Sequence, residues 1–349
     1  MKLIIQIPCF NEERTLPETI EALPRQIDGV DELEYLVIDD GSSDNTTAIA
    51  RENGVHHVVR FAQNRGLARA YMAGIDACLR LGADVIVNTD ADNQYCADDI
   101  PALIDPILKG EADLVVGDRQ VEGVDEFSSA KKKLQRLGSW VVRLASSTDV
   151  PDATSGFRAI GREAALRMFV TSDFTYTLET LIQAGQANLA VGAVPIRTNA
   201  KTRDSRLFRS ISQYMRRSAT TILRIYTMYR PLKAFLSLAF LLFLAGSVLG
   251  GRFLYFHFSS GGQNAGHIQS LILAAVLLIV AFVVLLSGFL ADLVGANRKL
   301  LEDAIIRLRR LEYGDAERQA KTHVSTRRRA APKSQKVRDS DDTAGSEQV

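Results

Sequence analysis

The 349-residue sequence has few cysteines and no close pair of them. Its three cysteines, Cys9, Cys78 and Cys96, are far apart, which excludes a C-x-x-C redox motif and the spacing of a zinc site. A sparse, odd count is typical of a reducing compartment. The formal net charge is only +1, so the overall charge does not indicate a nucleic-acid partner.

Several common catalytic motifs are also missing. The first predicted strand is not followed by G-x-G-x-x-G, and G-x-x-x-x-G-K-[ST] does not occur, which disfavours a dinucleotide oxidoreductase and a P-loop nucleotide hydrolase. No serine stands in a nucleophile-elbow sequence. The five histidines lie away from the acidic clusters, which disfavours a zinc hydrolase; they are His56, His57, His257, His267 and His323. The first residues resemble a strand and not a charged leader with a long apolar core, so we expect no signal peptide.

Two long uncharged runs lie near the C-terminal end. One covers 234–251 and the other covers 268–291. An apolar helix of about 20 residues crosses the hydrocarbon core of a bilayer. Both runs are apolar around the whole helix, which disfavours the alternative of two buried helices in a soluble core. We therefore expect transmembrane helices over 234–256 and 268–292.

The charges around these runs predict their orientation. The connector 257–267 contains no Lys or Arg, whereas both flanks are basic: Arg216, Arg217, Arg224, Arg230 and Lys233 precede the runs, and Arg298, Lys299, Arg307, Arg309 and Arg310 follow them. We expect the connector outside and both ends of the chain in the cytoplasm. Arg252 is then expected to extend towards the outer headgroups.

The segments flanking the runs have distinct compositions. The stretch 207–233 mixes arginines with Leu, Ile, Met, Phe and Tyr, which is typical of a helix lying on an anionic membrane surface; a linker helix with surface charges is the alternative. Residues 293–314 predict a short cytoplasmic amphipathic helix, and 315–349 predict a disordered tail. Small residues in the first run are compatible with homo-oligomers formed through the transmembrane helices; they are Gly246, Gly250 and Gly251.

The first 206 residues alternate between strand and helix patterns. Strands are predicted over 3–8, 34–39, 55–61, 84–89, 113–117 and 189–196, and helices over 44–53 and 67–81. This alternation predicts an α/β fold with a mostly parallel central sheet. In such sheets, ligands bind beyond the carboxyl ends of the strands.

Acidic residues directly follow three of these strands. The three clusters are Asn11-Glu12-Glu13, Asp39-Asp40 and Asp90-Ala91-Asp92. Like charges gathered at one edge cost free energy unless a cation or a donor-rich ligand offsets them. Two carboxylates one residue apart suit a hard divalent cation and the phosphates it carries, although Asp-x-Asp is also frequent in surface turns. The sequence therefore predicts a Mg²⁺ or Mn²⁺ site at Asp90 and Asp92.

The chain contains, in this order, the strings IPCFNEE, VIDDGSSDNT, NRGLARAYMAGI, NTDADNQ, VVGDRQ and DATSGFRAI. Together they resemble family 2 glycosyltransferases of the GT-A fold. The two trailing apolar runs narrow the resemblance to polyprenyl-phosphate glycosyltransferases, similar to dolichol-phosphate mannosyltransferase and bacterial undecaprenyl-phosphate glucosyltransferases. The resemblance implies a cytoplasmic GT-A nucleotide-sugar-binding domain over 1–206, anchored in the plasma membrane of a prokaryote.

The resemblance also implies roles for residues at matching positions. Nucleotide-sugar contacts fall on Pro8, Phe10, Glu12, Ile38, Asp40, Asp90 and Ala91. Metal ligands fall on Asp90, Asp92 and Gln94, and catalytic roles on Asp90, Asp92, Asp152 and Arg119. Acceptor-phosphate contacts fall on Arg119, Arg136, Lys201, Arg203 and Arg206. Relatives often carry R-x-x-G-x-S-K near the last three residues, whereas 200–206 lacks its leading Arg and its Gly.

Structural alternatives exist for some charged residues in these strings. For Arg136 and Arg143 the alternative is a surface charge on a helix. For Arg158 it is a structural ion-pair partner, and for Asp39 it is a cap of the turn that follows it.

The implied reaction moves a hexose, with inversion, from a UDP- or GDP-sugar to undecaprenyl or dolichyl phosphate, for cell-envelope glycan or protein glycosylation. Mg²⁺ or Mn²⁺ is the implied cofactor, and the donor, the lipid acceptor and the membrane are the implied partners. One alternative is a membrane-anchored nucleotide-sugar-binding scaffold, which predicts binding without turnover. Another is a polysaccharide synthase, which usually has more spans and a Q-x-x-R-W-type string that is not found in this sequence.

Overall fold

The computed structural model describes residues 1–120, 148, 150–170, 176–199, 220, 227, 231–259 and 268–330, with side chains as far as Tyr313. The part up to residue 199 forms an N-terminal domain, and the part from residue 231 forms two long helices.

A seven-stranded sheet runs through the N-terminal domain in the order β3-β2-β1-β4-β6-β5-β7. Its strands are β1 (Lys2–Cys9), β2 (Glu32–Asp39), β3 (His57–Arg60), β4 (Val85–Asn88), β5 (Leu114–Asp118), β6 (Arg158–Gly161) and β7 (Val191–Pro195). Strand β1 pairs in parallel with β2 and β4, β2 with β3, and β5 with β7. Only β6 runs antiparallel among these strands, between β4 and β5. The prediction of an α/β fold with a mostly parallel sheet is confirmed.

Helices cover both faces of the sheet. They are α1 (Leu16–Ala22), α2 (Thr46–Glu52), α3 (Leu67–Arg80), α4 (Ile100–Leu108), α5 (Arg162–Leu166) and α6 (Thr177–Gln186). Alternate side chains of β1 enter two hydrophobic clusters: Ile4 packs with α3 and α6, whereas Leu3 and Ile5 pack with α1 and α4. A strand buried on both faces reads as a continuous apolar run, which is why β1 is clear in the sequence.

The two C-terminal helices, α7 (Pro231–Ser259) and α8 (Ile268–Ala330), pack against each other. Both are long and apolar enough to cross a membrane, and only 11% and 17% of their most apolar segments are buried. Within residues 234–291 the buried positions are small residues, Ala239, Gly246, Ala274, Ala281 and Gly288, whereas many bulky apolar side chains are exposed. A helix in a soluble core would bury the bulky side chains, so this distribution supports association with a membrane.

Gly246 takes part in the contact between these two helices. A Cβ at this position would lie 3.0 Å from Leu278 of α8, and a Cβ at Gly288 would lie 2.8 Å from Cβ of Phe235. Gly246, expected to favour association between copies, therefore serves close packing inside the chain.

Helix α8 is longer than the second predicted span. It runs from Ile268 to Ala330 without a break, so it includes the predicted span to 292, the predicted helix over 293–314 and part of the predicted tail over 315–349. The physical reason is that no proline interrupts 268–330, and the next proline is Pro332. The predicted membrane-surface segment 207–233 lies largely outside the described residues, as does most of the connector 257–267.

Candidate active site

The three acidic strand ends meet at one edge of the sheet, as predicted. Strand β1 lies between β2 and β4, with Cys9 opposite Asp39 and Gln6 opposite Asn88. The segments that leave these strands therefore emerge side by side. They are 10–12, 40–42 and 89–92.

The loop after β1 is tied to the loop after β2. Asn11 adopts a positive φ of 56°, and its backbone N–H donates to Oγ of Ser42 at 2.9 Å. The backbone N–H of Ser42 in turn donates to Oδ1 of Asp39 at 2.8 Å, and the Thr47 hydroxyl donates to Oδ2 of Asp39. Asp39 is fully buried, so it holds the turn as a cap, which was the structural alternative for this residue.

Glu12 and Asp40 are both buried at this edge. Oε2 of Glu12 accepts a hydrogen bond from the Thr15 hydroxyl at 2.7 Å. The Asp40 carboxylate accepts the backbone N–H groups of Arg65 at 2.7 Å and Gly66 at 2.9 Å, where α3 begins. Burial raises the pKa of Asp40 above its usual value, against the lowering effect of these two donors. Asp40 thus fixes the start of α3 at the site.

The Asp90-Ala91-Asp92 loop follows β4 and is held from two sides. The carbonyl of Ala91 accepts the Thr19 hydroxyl of α1 at 3.0 Å, and Oδ1 of Asp92 accepts the N–H of Gln94 at 3.3 Å. Asp90 and Asp92 are half-buried. The loop therefore presents two partly solvated carboxylates from a fixed backbone.

Gly156 brings the chain unusually close to Asp90. A Cβ at this position would lie 3.2 Å from Oδ2 of Asp90 and 2.9 Å from the hydroxyl of Tyr176. The N–H of Gly156 donates to the Tyr95 hydroxyl at 3.0 Å. Burial raises the pKa of Tyr95 to about 12, so this hydroxyl stays protonated near neutral pH. Only glycine leaves room for the carboxylate at this point.

A chain of buried hydrogen bonds that starts at Gln6 holds Gly156 in place. Gln6 Nε2 donates to Oδ1 of Asn88 at 2.9 Å, and Nδ2 of Asn88 donates to the Gly156 carbonyl at 2.8 Å and to the Tyr176 hydroxyl at 2.9 Å. The Tyr176 ring stacks on Tyr71 with centroids 3.9 Å apart. Sequence reasoning missed these residues, and one available signal was the polar Asn88 at the end of the apolar run of β4.

Arg119 and Asp152 form a buried ion pair. Arg119 Nε and Nη2 donate to the two Asp152 oxygens at 2.6 and 3.0 Å, and Nη2 also donates to the Thr154 hydroxyl at 2.9 Å. The Asp152 side chain is 3% exposed and that of Arg119 is 26% exposed. Burial alone would raise the pKa of Asp152, but Arg119 and Thr154 outweigh it and hold this pKa below its usual value. The structure thus brings together two residues that the sequence assigned to the site.

Arg158 is fully buried and holds the segment before β6 against α6. Its guanidinium donates to the carbonyls of Ser155 and Thr177 at 2.8 Å and of Ala153 at 2.9 Å, and to the Thr180 hydroxyl at 2.6 Å. Burial lowers the pKa of Arg158. Its role is structural, as in the alternative. The acceptors of these hydrogen bonds are neutral carbonyl and hydroxyl groups, whereas the alternative was an ion pair.

The remaining predicted residues have varied surroundings. Pro8 and Ile38 are buried opposite each other in β1 and β2, and Ile38 belongs to the core. Phe10 is 40% exposed at the end of β1. Gln94 is half-buried beside Asp92. The predicted basic residues Arg136, Arg143, Lys201, Arg203 and Arg206 lie outside the described residues.

The oxygen ligands at this edge fit a hard cation whose coordination shell is completed by phosphate oxygens and water. Within the described ranges, no group of three or more His, Cys, Asp and Glu side chains is arranged to hold a metal. Asp90, Asp92 and Gln94 offer carboxylate and amide oxygens, and all three residues are half-buried. Mg²⁺ and Mn²⁺ accept one or two protein carboxylates when phosphate oxygens and water complete the shell.

The comparisons with known proteins agree with this fold. The family model for glycosyl transferase family 2 matches residues 4–169. A Mycobacterium tuberculosis glucosyl-3-phosphoglycerate synthase, crystallised with Mn²⁺, uridine-diphosphate and phosphoglyceric acid, has a similar structure with a TM-score of 0.51. It is 22% identical, over 64% of this chain and 78% of that one.

Two curated relatives match at higher identity. The UDP-N-acetylglucosamine–dolichyl-phosphate N-acetylglucosaminyltransferase of Methanococcus voltae is 31% identical, over 55% of this chain and 83% of its own length. The undecaprenyl-phosphate mannosyltransferase of Micrococcus luteus is 35% identical, over 46% of this chain and 66% of its own length. From its strand-end motifs, its fold and these relatives, the chain belongs to glycosyl transferase family 2.

Proposed function

We propose that this chain is a membrane-anchored, inverting glycosyltransferase that moves a hexose from a UDP- or GDP-sugar to undecaprenyl or dolichyl phosphate, for cell-envelope glycan or protein glycosylation. One observation carries the proposal: Glu12, Asp40 and the Asp90-Ala91-Asp92 loop lie at one sheet edge in a chain with two exposed apolar helices. Relatives named for transfer to dolichyl and undecaprenyl phosphate support the acceptor class.

The donor side of the site is the edge formed by β2, β1 and β4. Pro8, Phe10, Glu12, Asp40 and Ala91 lie where the nucleotide is expected. Asp90 and Asp92, together with Gln94, are the residues that would hold Mg²⁺ or Mn²⁺. A divalent cation bound there supplies positive charge that stabilises the leaving diphosphate.

The acceptor side is the Arg119–Asp152 pair. Burial alone would lower the pKa of Arg119, but Tyr95, Asp152 and Asp90 raise it, so the guanidinium stays charged. Arg suits phosphate because its donors form a planar fork. Asp152 and Thr154 hold Nε and Nη2 and so fix the orientation of the guanidinium, and Nη1 is the group proposed to donate to the phosphate. The segments that contain Arg136, Lys201, Arg203 and Arg206 are proposed to add further positive charge.

The reaction needs no general base. A lipid phosphate is already ionised near neutral pH, so one of its oxygens attacks C1 of the sugar directly. The bond between C1 and the diphosphate oxygen breaks, and the anomeric centre inverts. The two described histidines of the N-terminal domain bond to β2 instead: His56 accepts the Tyr35 N–H at 3.0 Å, and His57 contacts Glu34 at 2.9 Å.

The two apolar helices support a reaction that takes place at a bilayer. The long prenyl chain of the acceptor confines its phosphate to the membrane surface, and the helices confine the enzyme there. Confining both partners to one surface raises their effective concentration. We propose that the N-terminal domain and both ends of the chain lie on the cytoplasmic side.

The test pairs one aspartate of the loop with an exposed neighbour. Asp92→Ala is expected to abolish transfer while the protein still folds and enters membranes. Asp98→Ala is the control, because Asp98 is exposed and lies six residues further along the chain. Transfer is measured in membranes with UDP- and GDP-sugars against both lipid phosphates. Full transfer by Asp92→Ala, or donor binding without turnover by the unaltered chain, would contradict the proposal.

A further inference from the structure

Helix α8 extends from the apolar segment back to the N-terminal domain. Its uncharged run ends at Ala291, and the helix then continues without interruption through the polar stretch that follows. Four side chains near its last described turn reach α3 and α5: Arg309, Arg310, Glu312 and Tyr313. The N-terminal domain and the apolar helices are therefore connected in two ways: through the chain segment 200–230 and through the contacts of α8.

Arg309 makes the densest of these contacts. Nη1 donates to the carbonyls of Met168 at 2.9 Å and Leu166 at 3.3 Å, and Nη2 donates to Asp76 of α3 at 3.0 Å. The guanidinium carbon lies 4.3 Å from the ring centroid of Phe169. The Arg309 side chain is only 13% exposed, so these are sheltered contacts.

Tyr313 adds an apolar anchor one turn later. It is 3% exposed, belongs to the core cluster that includes α3 and α6, and its hydroxyl donates to Asp76 at 3.2 Å. The flanking pairs, Arg310 with Glu163 and Arg80 with Glu312, are exposed and are expected to contribute little. Arg309 and Tyr313 therefore carry the docking of α8.

Because α8 is continuous and its far part is docked, the distance between the end of its apolar segment and the docked residues is fixed. From Asp292 to Arg309 the chain advances 17 residues, which is about 26 Å at the α-helical rise of about 1.5 Å per residue. The helix docks on α3, and α3 begins at Gly66, which the Asp40 carboxylate holds at the candidate active site. The end of the apolar segment is thereby connected to the site through two helices and one carboxylate.

We propose that residues 293–313 of α8 act as a rigid spacer that holds the candidate active site at a fixed height and orientation above the membrane. The inference rests on the proposed function, because a fixed height matters only when the acceptor phosphate lies at the bilayer surface. Arg309 and Tyr313 are then positioning residues, and they act through α3 without touching substrate.

The first test lengthens the spacer while keeping its docking face. A second copy of residues 298–304 is inserted after Ala304. Seven residues lengthen the helix by about 10 Å and rotate its face by about 20°. Transfer is compared for undecaprenyl phosphate in vesicles and for a water-soluble short-chain prenyl phosphate. We expect a loss of about tenfold or more with the vesicle acceptor and a change within about twofold with the soluble one.

The second test removes the docking. Arg309→Ala combined with Tyr313→Ala should lower transfer to the vesicle acceptor but not to the soluble one, and the insertion should have little further effect in this background. Arg307→Ala is the control, because Arg307 is exposed on the same helix. A fluorophore on the N-terminal domain and a quencher in the lipid give the height without relying on activity, and the insertion should increase it by about 10 Å.

The outcomes separate the two proposals. An unchanged height, unchanged transfer to vesicles, or an equal loss on both acceptors would overturn the spacer. If the unaltered chain transfers sugar to neither acceptor, the proposed function fails, and the spacer fails with it.

Discussion

Replacing Arg119 with alanine is expected to destabilise the N-terminal domain in addition to weakening acceptor binding. In the folded protein its guanidinium donates two hydrogen bonds to Asp152 and one to Thr154. The substitution leaves the Asp152 carboxylate buried with its charge uncompensated. An unpaired buried charge costs more free energy than the pair itself contributes.

The magnitude follows from the burial of the pair. Removing one partner of a buried ion pair costs about 3–5 kcal/mol. Because Arg119 is 26% exposed and water can partly replace it, we expect the lower end, about 3 kcal/mol. For a domain of 150–250 residues each kcal/mol lowers the Tm by about 2–4 °C, so the Tm should fall by about 6–12 °C.

The effect should depend on pH in a defined direction. The pKa of Asp152 is held below its usual value, so its stabilising contribution is fully present above the unfolded pKa of about 3.9. That contribution is lost as the pH falls through the lower folded pKa. In Arg119→Ala the buried Asp152 lacks its main lowering partner, so its folded pKa is higher than in the unaltered protein. The Tm difference should therefore be largest near neutral pH and should shrink as the pH falls from the folded pKa of the variant towards that of the unaltered protein.

The assay is thermal unfolding in detergent, followed by circular dichroism. Arg197→Ala is the matched control, because Arg197 also donates two hydrogen bonds to one carboxylate, that of Asp99, but is 66% exposed. It should leave the Tm almost unchanged. Adding Asp152→Asn to Arg119→Ala should restore much of the loss, since no unpaired charge remains. The reasoning is refuted if Arg119→Ala has the same Tm as the unaltered protein, or if Arg197→Ala lowers the Tm as much as Arg119→Ala does.

The stabilised double variant also separates the two roles of Arg119. Its defect in transfer beyond that of Asp152→Asn alone reports the contact of Arg119 with the acceptor phosphate, which should appear as a higher acceptor KM with the donor KM little changed. A change confined to the donor KM would reassign Arg119 to the donor side.

The other predictions concern packing, a buried cation and the metal. Gly74→Ala should destabilise by about 1–3 kcal/mol in thermal melts, because its Cβ would lie 2.3 Å from Gln6 Oε1 and 2.8 Å from Ile38 Cδ1; an unchanged Tm would contradict this packing. Arg158→Lys should strongly reduce the yield of folded protein, because an ammonium cannot match the guanidinium's geometry; a normal yield and Tm would argue against it. EDTA should abolish nucleotide-sugar binding by calorimetry and Mn²⁺ should restore it, whereas binding that survives chelation would exclude the proposed cation.

The sequence predicted which strand ends meet at the candidate site, for a physical reason. Strands β1, β2 and β4 are buried on both faces, so they appear as apolar runs, and the polar residues that end them stand out. The parallel arrangement then places Glu12, Asp40 and Asp90 together without further information.

The other half of the site depends on contacts between distant parts of the chain. Arg119 and Asp152 are 33 residues apart, and Tyr176 reaches Asn88 across 88 residues. Strand β6 has only four residues and begins with the charged Arg158, so its place between β4 and β5 shows no local pattern. The apolar and the polar parts of α8 differ in composition, so the sequence predicts them as separate elements although one helix contains both.

The reversed direction of β6 has a consequence for how this architecture can diversify. The parallel strands deliver residues to the site as they end, whereas β6 delivers 152–157 as it begins, with Arg158 opposite Asn88 and Val116. The chain therefore leaves the site edge at Asp118 and returns to the same edge at Asp152. Both ends of the segment 119–151 therefore lie at this edge, so its length and composition can change without altering the register of β1, β2 and β4. Under the proposed function, this segment can therefore vary while the strand ends proposed to bind the donor stay the same.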